Sequence, residues 1–190
     1  EQNTSEQYQL SGQLEHLIEQ DGQYQVLHFR SGSFNGKQVI NLWLEHLFAC
    51  AAGLTIGSSV GLGLSIDARS KETKIDRCEF TPVPVEMAQS YLLELIEFMN
   101  QCYQQPQAFF LTLAMRYLTE KEEKQQGVLE KSQDSEFGEM NNEFVQRCFG
   151  EQINADLVGF LLAHTSLWQQ ILSPLLDYML SDETKKEESK

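Results

Sequence analysis

The chain has 190 residues, 41% of them apolar and 10% aromatic, and its formal net charge at pH 7 is −14. This length and composition predict one globular domain over residues 7–180 with flexible tails at 1–6 and 181–190, and they exclude a disordered chain. Because affinity for nucleic acid comes largely from lysine and arginine, we do not expect so acidic a domain to bind DNA strongly by itself. The alternative is that the acidity serves only solubility.

The first two predicted elements form a β-hairpin. Apolar residues alternate with polar ones from Tyr8 to Glu15 and again from Tyr24 to Arg30, a pattern typical of strands with one buried face. Asp21-Gly22 lies between the two runs and favours a tight turn, because both central positions of such a turn need a positive φ.

A wide apolar helix is predicted next. From Gly36 to Ala52 apolar residues recur at helical spacing, and Gly53 is placed to cap the end of the helix. We expect so apolar a helix to lie between the sheet and another layer. Two further runs, Val60 to Ile66 and Lys74 to Thr81, alternate like strands and are joined by a polar turn at Asp67 to Thr73.

The second half of the chain is predicted to be mainly helical, with helices able to cover both faces of the sheet in an α/β domain. Ala108 to Thr112 is either a short buried strand or the start of a helix, and the acidic stretch Thr119 to Glu143 is predicted to be a mobile loop with helical fragments. Three predicted helices run from Val85 to about Tyr103, from Ala114 to Glu123 and from Glu143 to Phe149. A last long helix is predicted to begin at a cap formed by Asn154 and to be kinked or interrupted at Pro174.

Three residues of the predicted hairpin, Glu15, His28 and Arg30, occupy positions of chemical interest. The order of a Gly-x-x-acid segment at Gly12 to Glu15, a tight turn, and a strand that ends in Ser31-Gly32 resembles the skeleton of the PD-(D/E)XK nucleases. In that family the second strand ends in Asp-x-Lys. The resemblance implies a restriction-endonuclease-like fold with a mixed central sheet flanked by helices.

The residues that hold a metal ion in that family are replaced here. Residues i and i+2 of a strand share a side, so Asp-x-Lys places a carboxylate beside an ammonium and helps to bind Mg²⁺. Glu15 remains available as a ligand, but His28 stands at the second carboxylate and Arg30 at the lysine. Neutral imidazole is a poor Mg²⁺ ligand, and guanidinium stays protonated at any working pH. The interpretation is a degenerate site without catalytic, metal-binding or cofactor-binding residues.

Two other interpretations of this hairpin stay open. In the first, His28 and Arg30 are ordinary strand-end residues that pair with Glu15. In the second, the domain is an active Mg²⁺- or Mn²⁺-dependent DNA nuclease whose carboxylate has migrated, with Glu15, Glu19 and Asp21 collecting the ion.

The predicted helix carries a second and more specific motif. Asn41 to Ala51 reads Asn-Leu-Trp-Leu-Glu-His-Leu-Phe-Ala-Cys-Ala and resembles the corresponding helix in the C-terminal domain of the exodeoxyribonuclease V gamma chain, the RecC family. The similarity extends more weakly from Leu10 to Met179, and the acidic stretch Thr119 to Glu143 matches poorly.

The resemblance to RecC implies a non-catalytic, nuclease-like domain that serves as a scaffold in the cytoplasmic RecBCD heterotrimer. That complex uses ATP and Mg²⁺ in its RecB and RecD subunits to unwind and degrade DNA ends in double-strand-break repair and homologous recombination. The expected partners of this domain are the RecB and RecD subunits, chiefly RecD, bound through the terminal segments and the exposed faces of the last two helices. DNA is expected to be bound by the whole complex.

The remaining motifs favour structural roles. Gly57 to Gly61 satisfies the Gly-x-Ser-x-Gly pattern of hydrolases, but an alternating strand follows where the motif needs a helix. We expect His16, His46 and His164 to lie on the surface or on helix faces, and Trp43 and Trp168 to anchor the core. The cysteines lack a Cys-x-x-Cys pair and are predicted to be reduced, buried thiols; they are Cys50, Cys78, Cys102 and Cys148.

A third function class stays open beside the scaffold and the nuclease. An acidic globular domain without a complete catalytic motif is also compatible with an independent adaptor that has no role in recombination.

Overall fold

The structure is a computed structural model that describes residues 8–66, 71–133 and 139–180. The predicted tails at 1–6 and 181–190 and most of the predicted turn after Ile66 lie outside these residues. Within them the protein is a mixed α/β domain with one sheet and six α-helices, which confirms the predicted class. No helix in the described part of the chain is long and apolar enough to cross a membrane.

One mixed sheet of four strands occupies the first half of the chain. Its strands stand in sequence order; the first and last pairs are antiparallel and the central pair is parallel. A parallel pair needs a crossover connection, and here it contains the helix α1, Gly36–Ala51. The strands are β1 (Leu17–Gln20), β2 (Gln23–Ser31), β3 (Ile56–Ile66) and β4 (Thr73–Phe80).

The hairpin turn is confirmed and the position of the first strand is wrong. Asp21 and Gly22 have φ values of 53° and 78°, as a two-residue turn requires. Residues 8–14 form no strand, however, and β1 begins two residues after Glu15. The alternating apolar side chains of this segment lie along the helical layer instead, where Leu10 and Gly12 line the same cleft as Phe48 of α1.

Helix α1 covers one face of the sheet, as its apolar sequence predicts. Leu42 and Leu47 are completely buried, and the Trp43 ring lies 5.0 Å from that of Phe80 in β4. The helix ends as predicted, because Gly53 adopts a φ of 77° and its N–H donates to the carbonyl of Cys50.

Much of the opposite face of the sheet is exposed in the described part of the chain, although Val60 on that face is buried, so the prediction of helices on both faces is wrong there. Val26 and His28 of β2 point toward α1, and alternation directs Phe29 to the other side. Phe29, Ile66 and Ile75 on that side are 69%, 71% and 66% exposed. The helices that follow β4 extend the layer begun by α1 and leave this face open.

Five more α-helices follow in the described residues and build a second buried cluster around Trp168. Residues 108–110 are irregular before a helix begins at Leu111, so the helical alternative for this segment is the correct one. The helices are α2 (Val85–Gln104), α3 (Leu111–Thr119), α4 (Glu122–Glu130), α5 (Glu143–Leu162) and α6 (Thr165–Tyr178).

The acidic stretch has the predicted helical fragments, among them α4, but its described residues also contribute to the core, so its prediction as a loop outside the core is wrong. Leu129 is completely buried and Met140 is 1% exposed. The Glu139 carboxylate accepts hydrogen bonds from the N–H groups of Thr112 (3.0 Å) and Leu113 (2.8 Å). It thereby satisfies donors that the first turn of α3 leaves free. A few apolar side chains and one carboxylate suffice to order a polar segment.

The last two helices begin and end elsewhere than predicted. Helix α5 continues past Asn154 and breaks at Asp156, whose backbone leaves the helical region with φ −159° and ψ 90°. The Asp156 carboxylate then accepts from the N–H of Gly159 at 2.9 Å, which makes it the local cap. Helix α6 begins after His164 and includes Pro174 without interruption.

The final residues return to the free edge of the sheet. The N–H of Thr81 donates to the carbonyl of Tyr178, and Met179 forms an isolated antiparallel bridge with Phe80. The end of α6 is thereby fixed to the end of β4.

The cysteines divide into two groups. Cys50 and Cys78 are buried, whereas Cys102 and Cys148 are exposed, and all four are free thiols. The prediction of buried thiols is therefore wrong for Cys102 and Cys148, which lie on the outer sides of α2 and α5.

We expect Gly63→Ala to lower the free energy of unfolding by about 1–3 kcal/mol. A Cβ at this position in β3 would lie 2.6 Å from the backbone nitrogen of Phe34 and 2.7 Å from the carbonyl oxygen of Gly32, so the backbone itself would have to move. Urea unfolding monitored by circular dichroism measures the change.

The control is Gly127→Ala in α4, where an added Cβ meets nothing within 4 Å. Alanine favours a helix interior over glycine, so this variant should gain about 0.5–1 kcal/mol. Equal effects of the two substitutions would contradict the close approach at Gly63.

Candidate functional site

The predicted site lies between β2 and α1. Strand alternation places Val26, His28 and Arg30 on the side of β2 that faces α1. In the neighbouring strand the partners of His28 and Arg30 are Gly61 and Gly63. The prediction that His28 and Arg30 share a side is therefore confirmed.

His28 contacts a residue of α1. Its Nε2 lies 2.9 Å from Oε2 of Glu45, and the two side chains are 19% and 33% exposed. Both atoms are shielded from solvent, yet neither makes an aligned hydrogen bond. The contact therefore joins β2 to α1, and its contribution to stability is modest.

Glu15 lies apart from this pair. It is exposed, in a bend of the chain before β1. The next residue, His16, places its ring 5.7 Å from that of His28 in an edge arrangement. The expected pairing of His28 with Glu15 is wrong, because the carboxylate that contacts His28 is that of Glu45.

Arg30 bends back along the end of its own strand. Its Nε donates a long hydrogen bond of 3.5 Å to the carbonyl of Ser31. Gly32 has a φ of 105°, and a Cβ there would lie 3.5 Å from Nη2 of Arg30. The guanidinium thus lies over the glycine that follows β2, where a larger residue would crowd it.

A second polar pair joins α1 to β3. His46 is completely buried, and its Nδ1 lies 2.8 Å from Oγ of Ser59. Its ring stacks on Trp43 at 5.6 Å. Burial lowers the pKa of His46 to about 4, an effect that the backbone of Thr81 partly opposes. His46 lies on a helix face, which was one of its two predicted positions, and the surface alternative is wrong because the ring is a neutral member of the core.

The other motifs have structural roles, as predicted. Gly57 to Gly61 lies within β3, and Ser59, the serine of the pattern, is completely buried against His46 with no helix after it, which excludes a nucleophile elbow. Trp43 is 1% exposed and Trp168 is completely buried, with its Nε1 donating to the carbonyl of Ala108 at 2.7 Å. Both tryptophans anchor the core.

The geometry of the acidic residues is unfavourable to a shared metal ion. Glu15 precedes β1 and Asp21 follows it in the turn, so the four residues of the strand, about 13 Å of extended chain, lie between them. Within residues 8–66, 71–133 and 139–180 no group of three or more His, Cys, Asp or Glu side chains is arranged to hold a metal ion.

Glu45 is the residue of this site that the sequence analysis missed. Glu45 and His46 lie in the middle of α1, and their neighbours in sequence are Trp43, Leu44 and Leu47. Two polar residues in so apolar a segment need polar partners once they are buried. That requirement could have indicated contacts between α1 and the strands beneath it.

We expect stability to fall more steeply with acid in the wild type than in His46→Gln. Below pH 6.5 the histidine of the unfolded chain takes up a proton, whereas the folded one stays neutral until about pH 4. Between pH 7 and 4.5 the wild type should therefore lose about 2–3 kcal/mol more unfolding free energy than the variant. Urea denaturation at both pH values measures the difference.

His164→Gln is the control for this prediction, because His164 is half-buried and its Nδ1 contacts the carbonyl of Phe160 at the surface of α5. This variant should lose stability with acid as the wild type does. Equal losses in the wild type and in His46→Gln would contradict a neutral buried imidazole.

The comparison with known families agrees with the motif in α1. A family model described as the RecC C-terminal domain matches residues 2–122, more than half of the chain. A comparison with curated proteins finds no match. The matched part contains the hairpin, α1, the whole sheet and α2, and it confirms the resemblance noted for Asn41 to Ala51. The chain belongs to the family of RecC C-terminal domains.

Proposed function

We propose that this domain is a non-catalytic scaffold in the RecC subunit of RecBCD, with a PD-(D/E)XK-like fold whose metal site has been lost. The observation that supports this proposal is the pair formed by His28 and Glu45. Nuclease chemistry of this class needs a second carboxylate at position 28 that is free to bind Mg²⁺. Here position 28 holds an imidazole, and the nearest carboxylate, that of Glu45, is engaged with it at 2.9 Å.

Arg30 supports the same conclusion. A lysine at this position would place a titratable amine beside an attacking water, whereas a guanidinium stays charged and cannot exchange a proton. The arrangement of Arg30 over Gly32 also directs the cation along the end of the strand. The residues between β2 and α1 thus form internal contacts that hold the helix on the sheet.

The remaining role for this domain is in the assembly of the subunits of the complex. A domain with a net charge of −14 repels the phosphate backbone, so DNA contacts in the complex fall to basic surfaces elsewhere. We propose that this domain holds partner subunits of the cytoplasmic RecBCD complex, chiefly RecD. ATP hydrolysis and Mg²⁺-dependent cleavage belong to those partners. The exposed sides of α5 and α6, which include Phe144 at 74% exposed, are one proposed contact surface.

We expect the 190-residue chain to leave linear and plasmid DNA intact in the presence of Mg²⁺ or Mn²⁺. In the reconstituted complex, Glu15→Ala should keep the exonuclease rate within about twofold of the wild type, because Glu15 holds no metal ion in this interpretation. Gel electrophoresis of end-labelled DNA measures both.

Glu122→Ala is the matched control, since Glu122 is an exposed carboxylate in the first turn of α4 and has no part in either interpretation of the hairpin. Cleavage by the wild-type chain that disappears in Glu15→Ala and persists in Glu122→Ala would refute the scaffold proposal and support a nuclease with a migrated carboxylate.

We expect RecC that ends before this domain to lose RecD from the complex. Co-purification of the three subunits, with RecD quantified against full-length RecC, should show a loss of at least about tenfold if this domain contributes anchoring contacts. Unchanged recovery of both RecB and RecD would contradict the assembly role and favour an adaptor unrelated to recombination.

A further inference from the structure

Helix α2 has two apolar stripes; the described chain covers one of them, and it covers the other mainly at Leu92, which packs against the first buried cluster. One stripe faces the two buried clusters. The other is exposed or half-buried and follows spacings of 7, 4, 3 and 4 residues. Its exposed fraction reaches 48% at Met99 and 82% at Tyr103. The residues of this second stripe are Val85, Leu92, Ile96, Met99 and Tyr103.

Beside this stripe lies an open cleft of about 430 Å³. Leu92 and Leu93 line it from α2, Phe48 lines it from α1, and Tyr8 and Leu10 line it from the segment that precedes β1. Leu93 and Leu10 are 43% and 48% exposed. The cleft and the second stripe of α2 together are termed the α1–α2 groove.

The length of the groove favours a helix as its occupant. From Val85 to Tyr103 the stripe spans eighteen residues, or about 27 Å of helix. A small molecule would fill the cleft at Leu92 and leave Met99 and Tyr103 uncovered. Alternating spacings of three and four residues are those at which a second helix packs its own apolar side chains.

The charge of the groove indicates the chemistry of that helix. Helix α2 contains Glu86, Glu94 and Glu97 and neither lysine nor arginine. Glu86 and Glu97 are exposed and lie about 100° around the helix from the stripe residues that they directly follow, on the side away from the buried clusters. Glu45 lies beside Leu92 at the α1 side. An occupant with basic residues beside its apolar stripe would complement these carboxylates.

We propose that the α1–α2 groove binds one amphipathic helix of a partner subunit, with apolar residues at spacings of three and four and with lysine or arginine on its flanks. This inference rests on the proposed assembly function in one respect, namely that the natural helix belongs to a subunit of the complex. The α1–α2 groove is then an anchoring surface distinct from the exposed sides of α5 and α6.

The direct test uses a model helix as the probe. An eighteen-residue Leu/Lys peptide with heptad spacing should bind the 190-residue chain at least about tenfold more tightly than a Leu/Glu peptide of the same length, measured by fluorescence anisotropy at 0.15 M salt. The double variant Met99→Ser with Tyr103→Ser should weaken the Leu/Lys complex about tenfold. Circular dichroism checks that the variant is folded.

A matched apolar control is Ile66→Ser with Ile75→Ser on the open face of the sheet, where both side chains are at least as exposed as Met99. This control should leave the affinity unchanged. Equal affinity for the two peptides, or an equal loss in the control, would overturn the proposal. So would a dimer of the chain that disappears in Met99→Ser with Tyr103→Ser, because the groove would then belong to a second copy.

Neutralising the carboxylates of α2 provides an independent test of the affinity for the Leu/Lys peptide. Glu86→Gln with Glu97→Gln should weaken the Leu/Lys complex about fivefold, whereas Glu122→Gln with Glu123→Gln in the first turn of α4 removes the same charge and should leave it unchanged. Equal losses from the two pairs would show that net charge alone attracts the peptide, which overturns the proposed groove.

Assembly of full-length RecC separates this inference from the proposed function. If Met99→Ser with Tyr103→Ser lowers retention of a partner subunit, both are supported. If RecC needs this domain for RecD but tolerates the double substitution without loss, the groove is refuted and the scaffold role stands. If RecC retains every subunit without this domain, the scaffold role and its partner helix fail together.

Discussion

The packing of α1 against the sheet is the interaction on which the rest of this structure depends. Adjacent residues in the middle of that helix reach two different strands: Glu45 contacts His28 of β2, and His46 contacts Ser59 of β3. Apolar burial of Leu42 and Leu47 supplies most of the stabilisation. The contact between His46 and Ser59 fixes the orientation of the helix, because a buried imidazole without a polar partner would be costly.

This contact also bears on the proposed loss of nuclease chemistry. On the proposed PD-(D/E)XK-like fold, position 28 corresponds to a metal ligand, and here its side chain contacts the helix above it. Arg30 keeps a positive charge beside the end of the strand. In the proposed scaffold, residues at the former metal site have become part of the packing between helix and sheet.

The sequence predicts those parts of the fold that local chemistry decides. Asp21-Gly22 determines a turn because few other pairs accept two positive φ values, and Gly53 ends α1 for a similar reason. Alternation also places His28 and Arg30 on one side of β2. These features depend on residues that are neighbours in sequence, and they can therefore be predicted from the sequence alone.

Features that depend on contacts between residues far apart in the sequence could not be predicted in this way. The alternation from Tyr8 to Leu14 is the same whether its apolar side meets a sheet or, as here, a helix. His46 looks like an exposed residue of a helix until Ser59, thirteen residues later, is placed beneath it. Leu129 and Met140 show that even a mostly acidic stretch can be drawn into a core by a few side chains. Cys102 and Cys148 are exposed for the converse reason, since apolar neighbours in sequence do not fix which side of a helix is covered.

The return of residues 178–180 to the end of β4 has a consequence for biosynthesis. The Thr81 hydroxyl donates to the carbonyl of Tyr178 across a separation of 97 residues. The bridge between Phe80 and Met179 therefore forms only after α6 has been synthesised, and the closure of so long a loop is slow compared with the formation of a local hairpin. On the ribosome, the end of β4 stays without this partner until α6 emerges.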